Sequence, residues 1–171
     1  MRERLLFIAM RYLITFACYG AHMHGDDTGS VDPRHHVPGT PVLQSDSRRL
    51  TAERRQVKSE PYVLNDENRP VVLGAIKQVC AHRGWVLLAA QVRQNHVHIV
   101  VEGDEPPERM LNDLKSYASR SLNCGGESAR PRWARHGSTR WLWNDASVRK
   151  AIGYVVEDQG EPMAVFIGAA L

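Results

Sequence analysis

Trp85-Val86-Leu87-Leu88-Ala89-Ala90-Gln91-Val92 is followed by the polar Arg93-Gln94-Asn95 and then by His96-Val97-His98-Ile99-Val100-Val101. Two apolar, β-rich runs with a short polar break between them predict a hairpin, with strands over about 85–92 and 97–101. Before it, Val72, Ile76, Val79 and Cys80 keep helical spacing over about 67–83. Asn65 or Asn68 can cap that helix, Pro70 falls in its first turn, and Gly84 stops it. After the hairpin, Asp104 and Pro106 open a helix to about 123 that carries Met110, Leu114, Ala118 and Leu122, and Gly125-Gly126 end it. Farther out, 10–18 reads as a first strand and 140–143 as a late one. Asp145 caps a last helix to about 159, closed by Gly160 and Pro162. The order strand, helix, strand, strand, helix, strand, helix predicts an α+β fold. It is a ferredoxin-like antiparallel sheet with helices on one face, plus a C-terminal helix.

The 171 residues suit one domain over 1–171, and 43% hydrophobic residues can build its core. Residues 20–61 read differently. Gly25, Asp26, Asp27, Gly29, Asp32, Pro33, Pro38, Gly39 and Pro41 are turn formers, so a long loop or insertion is expected there, with a short charged helix over 45–58. No internal repeat is visible. A net charge of +3 suits a polyanionic partner but is shared by many proteins without one. Cys18, Cys80 and Cys124 are far apart and odd in number, which points to free thiols in a reducing compartment. Leu5 to Met10 follows two arginines, yet Arg11 interrupts the run and no small-residue cleavage site follows. No stretch reaches the roughly 20 apolar residues a membrane helix needs, so a cytoplasmic protein is expected.

His96 and His98 are the sharpest chemical feature. Alternate residues of a strand share a face, so both imidazoles project together while Val97 and Ile99 turn away. Such a pair can hold one divalent ion, although an isolated H-x-H also arises by chance. His22-Met23-His24 repeats the spacing, with His35-His36 nearby, but in the turn-rich segment where no strand aligns them. Two tyrosines stand on helices. Tyr117 falls beside Leu114 and Ala118 on an apolar stripe, where packing explains it. Tyr154 lies at the edge of the stripe built by Val148, Ile152 and Val155, where a phenol can reach a cleft.

Gln94-Asn95-His96-Val97-His98-Ile99-Val100 resembles the signature of the single-tyrosine HUH transposases, the group that includes the REP-associated tyrosine transposases. Leu114-Lys115-Ser116-Tyr117-Ala118-Ser119-Arg120 resembles the helix that follows this signature, and Trp141-Leu142-Trp143 its late strand. Tyr154-Val155-Val156-Glu157-Asp158-Gln159 resembles its nucleophile-bearing C-terminal helix. The likeness runs from about 12 to 163, with 20–61 poorly constrained, and the joint order carries it.

The resemblance implies an enzyme that cuts and rejoins single-stranded DNA, often beside a hairpin, with Mg²⁺ or Mn²⁺ and no ATP. It implies a 5′-phosphotyrosine link made by Tyr154 and a free 3′-hydroxyl. His96, His98 and a third ligand would hold the metal. Relatives carry an amide four residues after the tyrosine, where this chain has Asp158. On an unbroken helix that position lies about 40° from Tyr154 and the next about 140° away, which favours Asp158 over Gln159. Gly160 could unwind the last turn and bring Gln159 in, and Glu157 is a weaker candidate.

Lys115, Arg132 and Arg135 are expected to contact nucleic acid. Arg120, Arg130 and Arg140, with Trp133, Trp141 and Trp143 between them, could track phosphates and stack bases. His136-Gly137-Ser138-Thr139 could touch phosphate or be a plain turn. The partners implied are single-stranded or hairpin DNA and, as for many relatives, a second copy in a homodimer. Two other readings stay open: a non-catalytic single-strand binder on the same fold, and an unrelated metal hydrolase using the two histidines.

Overall fold

The hairpin forms the middle of a five-stranded antiparallel sheet in the computed structural model, which describes residues 9–21 and 60–169. In chain order the described elements are β1 (Met10–Cys18), α1 (Asn68–Arg83), β2 (Val86–Val92), β3 (His96–Gly103), α2 (Pro107–Cys124), β4 (Trp133–Trp141), α3 (Asp145–Val156) and β5 (Ala164–Ile167). The strand order is β4-β1-β3-β2-β5, and every neighbouring pair is antiparallel. The expected ferredoxin-like α+β fold is the one observed. The residues 22–59 of the expected loop, with His22, His24, His35, His36 and the helix expected over 45–58, lie outside the described residues.

Alternation sorts the sheet into two faces. Tyr12, Ile14, Phe16 and Cys18 of β1 and Val97, Ile99 and Val101 of β3 turn one way, into the main core. There they meet Val72, Ile76 and Val79 of α1 and Met110, Leu114, Ala118 and Leu122 of α2. On the other face Leu88, Ala89, Val100 and Leu142 meet Val148, Ala151 and Val155 of α3. Helix α3 has 12 residues and would be marginal alone. Burying Val148 and Val155 contributes about 1.5–3 kcal/mol each, which docks it firmly. The last helix therefore covers the face that α1 and α2 leave open, and this is the face onto which His98 projects.

Several boundaries differ from those read in the sequence. Strand β4 starts at Trp133 rather than 140, so Arg135 and the His136-Gly137-Ser138-Thr139 stretch lie in strand rather than in a turn. Among the described residues it is an edge strand paired to β1, mostly exposed, and so lacks the apolar alternation that announces a buried strand. Helix α3 stops at Val156 rather than 159, with Gly160 at φ 76° just beyond. Its cap is Asn144 rather than Asp145: the Asn144 side chain accepts from the Ser147 N–H at 2.8 Å in a capping box. Asp145 instead accepts a 2.5 Å bond from Arg11. Strand β5 carried no clear signal, being four residues on the far edge against β2.

Tyr62 belongs to a polar cluster. Tyr62 and Asn68 donate to the Glu127 carboxylate at 2.7 and 2.6 Å, and Arg132 approaches it at 3.4 Å. Burial alone would raise the Glu127 carboxyl. The three hydrogen bonds and the Arg132 charge outweigh it and hold the group below the usual range. A depressed carboxylate stabilises the fold above its unfolded pKa and loses that effect as pH falls through the folded one. Thermal stability should therefore drop as pH falls through and below the ordinary carboxylate range. Glu127→Gln should melt lower at neutral pH and show a flatter acid limb. An unchanged acid limb in a melting series would show that Glu127 is not responsible.

Candidate active site

β3 lies in the middle of the sheet and presents His96 and His98 on the α3 face, with ring centroids 4.7 Å apart at 84°. Register decides what surrounds them. His98 sits opposite Thr15 of β1 and Gln91 of β2, and Thr15 in turn sits opposite Ser138 of β4. The Thr15 hydroxyl lies 2.9 Å from His98 Nδ1, and the Asn95 Oδ1 lies 2.5 Å from His96 Nδ1. With Oδ1 as acceptor, His96 carries its proton on Nδ1 and keeps Nε2 as the donor atom for a metal. A hydrogen bond to the second ring nitrogen orients most metal-binding histidines. In this respect the pair fits a divalent ion.

Tyr154 completes the cluster. Its ring centroid stands 5.5 Å from that of His98, edge to face at 82°, and the side chain is 40% exposed. The helix beneath it is buried at Ala151 and Val155, so the phenol reaches a cleft from a docked support. Tyr117 is elsewhere: it packs against the main core on the opposite face of the sheet, under Arg120 at 4.3 Å and beside His82.

A cleft of about 500 Å³ opens between α3 and the β1–β4 half of the sheet. Thr15 and Ser138 contribute its floor, with Arg140 one row on, while Lys150, Tyr154 and Asp158 line the α3 side. Asp158 is exposed in the turn after α3, and Gln159 donates back to the Tyr154 carbonyl at 3.1 Å. Among the described residues no three His, Cys, Asp or Glu side chains group closely enough to hold an ion. Asp158 thus shares the cleft without joining the imidazoles in a ready-made triad.

The expected DNA contacts divide. Arg135 is exposed on β4. Arg132 is 4% exposed and engaged by Glu127 and the Ser128 carbonyl at 3.1 Å. Lys115 donates to the carbonyls of Ala134, Arg135 and His136 at 2.9, 3.5 and 3.1 Å, and burial lowers its ammonium pKa. Both brace β4 and its approach. Trp133 does so too, its indole N–H donating to Ser119 Oγ at 2.9 Å with its ring edge-on to Phe16. Trp143 is the exception. It is 78% exposed and stacks flat on Trp141, at 5.2 Å and 10°.

Sequence reading missed Thr15, Lys150 and Gln91. The first two are ordinary polar residues whose position only the register and the docked helix reveal. Gln91 had a signal, a polar side chain within the apolar run 86–92. It is fully buried, donates to the Val155 carbonyl at 2.8 Å and accepts from Arg93 at 2.7 Å, while Arg93 also donates to the Glu161 carbonyl at 3.0 Å. These bonds pin the C-terminal end of α3 to the hairpin, one residue past Tyr154. Gln91→Leu should lower stability by about 1–3 kcal/mol, because it leaves the carbonyl unsatisfied. A melting curve matching wild type would remove this role.

A family model described as IS200-like transposase matches residues 55–155, more than half of the chain and including His96, His98 and Tyr154. No curated protein matches the sequence. Among solved structures, a REP-associated tyrosine transposase bound to a REP hairpin is similar at TM-score 0.48 and 14% identity. The match covers 87% of this chain and 66% of that one, just under two thirds of its length. A crystal structure described as a candidate transposase from Deinococcus radiodurans R1 is similar at TM-score 0.47 and 12% identity, over 93% of this chain and 97% of that one. On the extent of the family match, the chain belongs to the IS200-like transposases.

Proposed function

We propose that this transposase is a metal-dependent single-stranded DNA endonuclease and strand-transfer enzyme that acts at hairpin-flanked sites through a 5′-phosphotyrosine. The observation that carries the reading is the convergence of Tyr154 and the His96–His98 pair, with 5.5 Å between the Tyr154 and His98 rings, beside an open cleft. His96 and His98 would hold the metal, and Asp158 is the candidate third ligand. A bound Mg²⁺ or Mn²⁺ supplies charge stabilisation for the phosphoryl oxygens. Two imidazoles suit Mn²⁺ better than Mg²⁺, which prefers oxygen.

The residues' own roles follow. Tyr154 Oη forms a bond to phosphorus as the bond from phosphorus to the 3′-oxygen breaks, and the phenolic proton ends on the departing 3′-hydroxyl. The reverse attack by a 3′-hydroxyl rejoins the strand, so no external energy source is required. Thr15 and Asn95 hold the imidazoles in place. Gln91 keeps the tyrosine's helix against them.

The test is a panel of labelled hairpin oligonucleotides with Mn²⁺, resolved under denaturing conditions. A shifted band that EDTA abolishes is the expected result. One specific observation favours a second reading, a binder without catalysis: no three-ligand group exists among the described residues. Retention of hairpins with no covalent band in either metal would select it.

A further inference from the structure

The cleft holds two cations for which the chemistry above has no use. Arg140 comes from the floor, on β4, and Lys150 from the wall, on α3. Among the described residues neither pairs with a carboxylate, and unlike Lys77, Arg93, Lys115, Arg120 and Arg130 neither is engaged by a ring, an amide oxygen or a backbone carbonyl. Asp158 lines the same cleft but forms an ion pair with neither among the described residues, and two unpaired like charges on one cleft favour an added anion between them.

Their positions relative to the reaction centre can be read from the register. Gln91, His98, Thr15 and Ser138 form one row across four strands. Arg140 pairs with Leu13, two residues along from the Thr15–Ser138 pair and so about 7 Å away on the same face. On α3, Lys150 precedes Tyr154 by four residues, one helical turn or about 6 Å on the same side. Both are displaced from the centre by a similar step and both line the same cleft. That step matches the spacing between adjacent phosphates of an extended strand. Ser147, a further turn back on α3, also lines the cleft and continues the direction.

We propose that Arg140 and Lys150 form a phosphodiester subsite that grips the DNA backbone one nucleotide from the scissile phosphate, so that the strand runs along α3 toward its N-terminus. An arginine fork and a mobile ammonium are complementary phosphate ligands. The proposal rests on the single-stranded DNA reading but not on catalysis, and it can be tested without it.

Binding of a labelled hairpin oligonucleotide carrying a single-stranded flank is measured in EDTA, in a Tyr154→Phe background where no adduct complicates the titration. Arg140→Gln with Lys150→Met should weaken binding roughly ten- to a hundredfold. The log–log salt slope should fall by about 0.7, the value of one neutralised phosphate on a single strand. Arg149→Ala, on the same helix but outside the cleft, should leave both quantities unchanged. Replacing one flanking phosphate by an uncharged methylphosphonate should weaken the parent at a single position. At that position it should cost the double variant nothing.

Both side chains are exposed, so folding should survive. If the double variant melts early, each single variant with the methylphosphonate series gives the same comparison. Unchanged affinity and slope, or a methylphosphonate penalty that persists in the variants, would overturn the subsite. A subsite detected in an enzyme that yields no covalent band would sink the cutting mechanism and leave this inference standing.

Discussion

Tyr154→Phe should abolish the covalent DNA adduct, by at least about a thousandfold, while hairpin binding stays at the parent level. Removing a nucleophile typically costs this much or more, because no neighbouring group can take its place in bond formation. The substitution deletes only the hydroxyl. The ring's contact with His98 at 5.5 Å and the packing of Val148, Ala151 and Val155 stay as they are, so the melting temperature should hardly move. Tyr117→Phe is the matched control. That phenol lies across the sheet from the histidines, under Arg120, and its removal should leave the adduct intact. An adduct that survives in Tyr154→Phe and disappears in Tyr117→Phe would refute the assignment.

His98→Ala should reduce adduct formation by at least about a hundredfold and remove most Mn²⁺ binding in calorimetry. The reason is geometric as well as chemical. His98 is 4% exposed and contacts the Thr15 hydroxyl, the Tyr154 ring and the His96 ring, so in the proposed mechanism it would serve both as a metal ligand and as packing for the phenol. Thr15→Val separates the two contributions. It keeps the imidazole but removes the hydroxyl at 2.9 Å, and second-sphere changes of this kind cost about 10–100-fold in metal affinity. The graded order wild type, Thr15→Val, His98→Ala is the expected outcome. Full Mn²⁺-dependent activity in His98→Ala would mean that the metal binds elsewhere.

Local patterns made most of the fold legible. The apolar runs flanking Arg93-Gln94-Asn95 announced β2 and β3, and the helical spacing of Val72, Ile76 and Val79 announced α1. The strand period put His96 and His98 on one face, and Tyr154 at the edge of an apolar stripe read correctly as a cleft-facing phenol on a docked helix. Charge was the weak guide. Lys115 and Arg132 read as nucleic-acid contacts, because composition cannot say whether a cation ends against water or against backbone carbonyls and Glu127. Gln91 shows the same limit from the other side: its burial and its bond to Val155 join residues 64 positions apart.

Alone, then, the order of residues determined every secondary element but β5, though not all their bounds, the shared face of the two imidazoles and the helix that carries the phenol, since each follows from a period of 2 or 3.6 within a few neighbours. Tertiary structure decided which face α3 covers, that Thr15 lies opposite His98, that β4 begins at Trp133, and that Arg140 and Lys150 meet across one cleft. Those relations depend on strand register and helix docking between distant segments, and backbone pairing across 83 residues leaves no trace in local spacing.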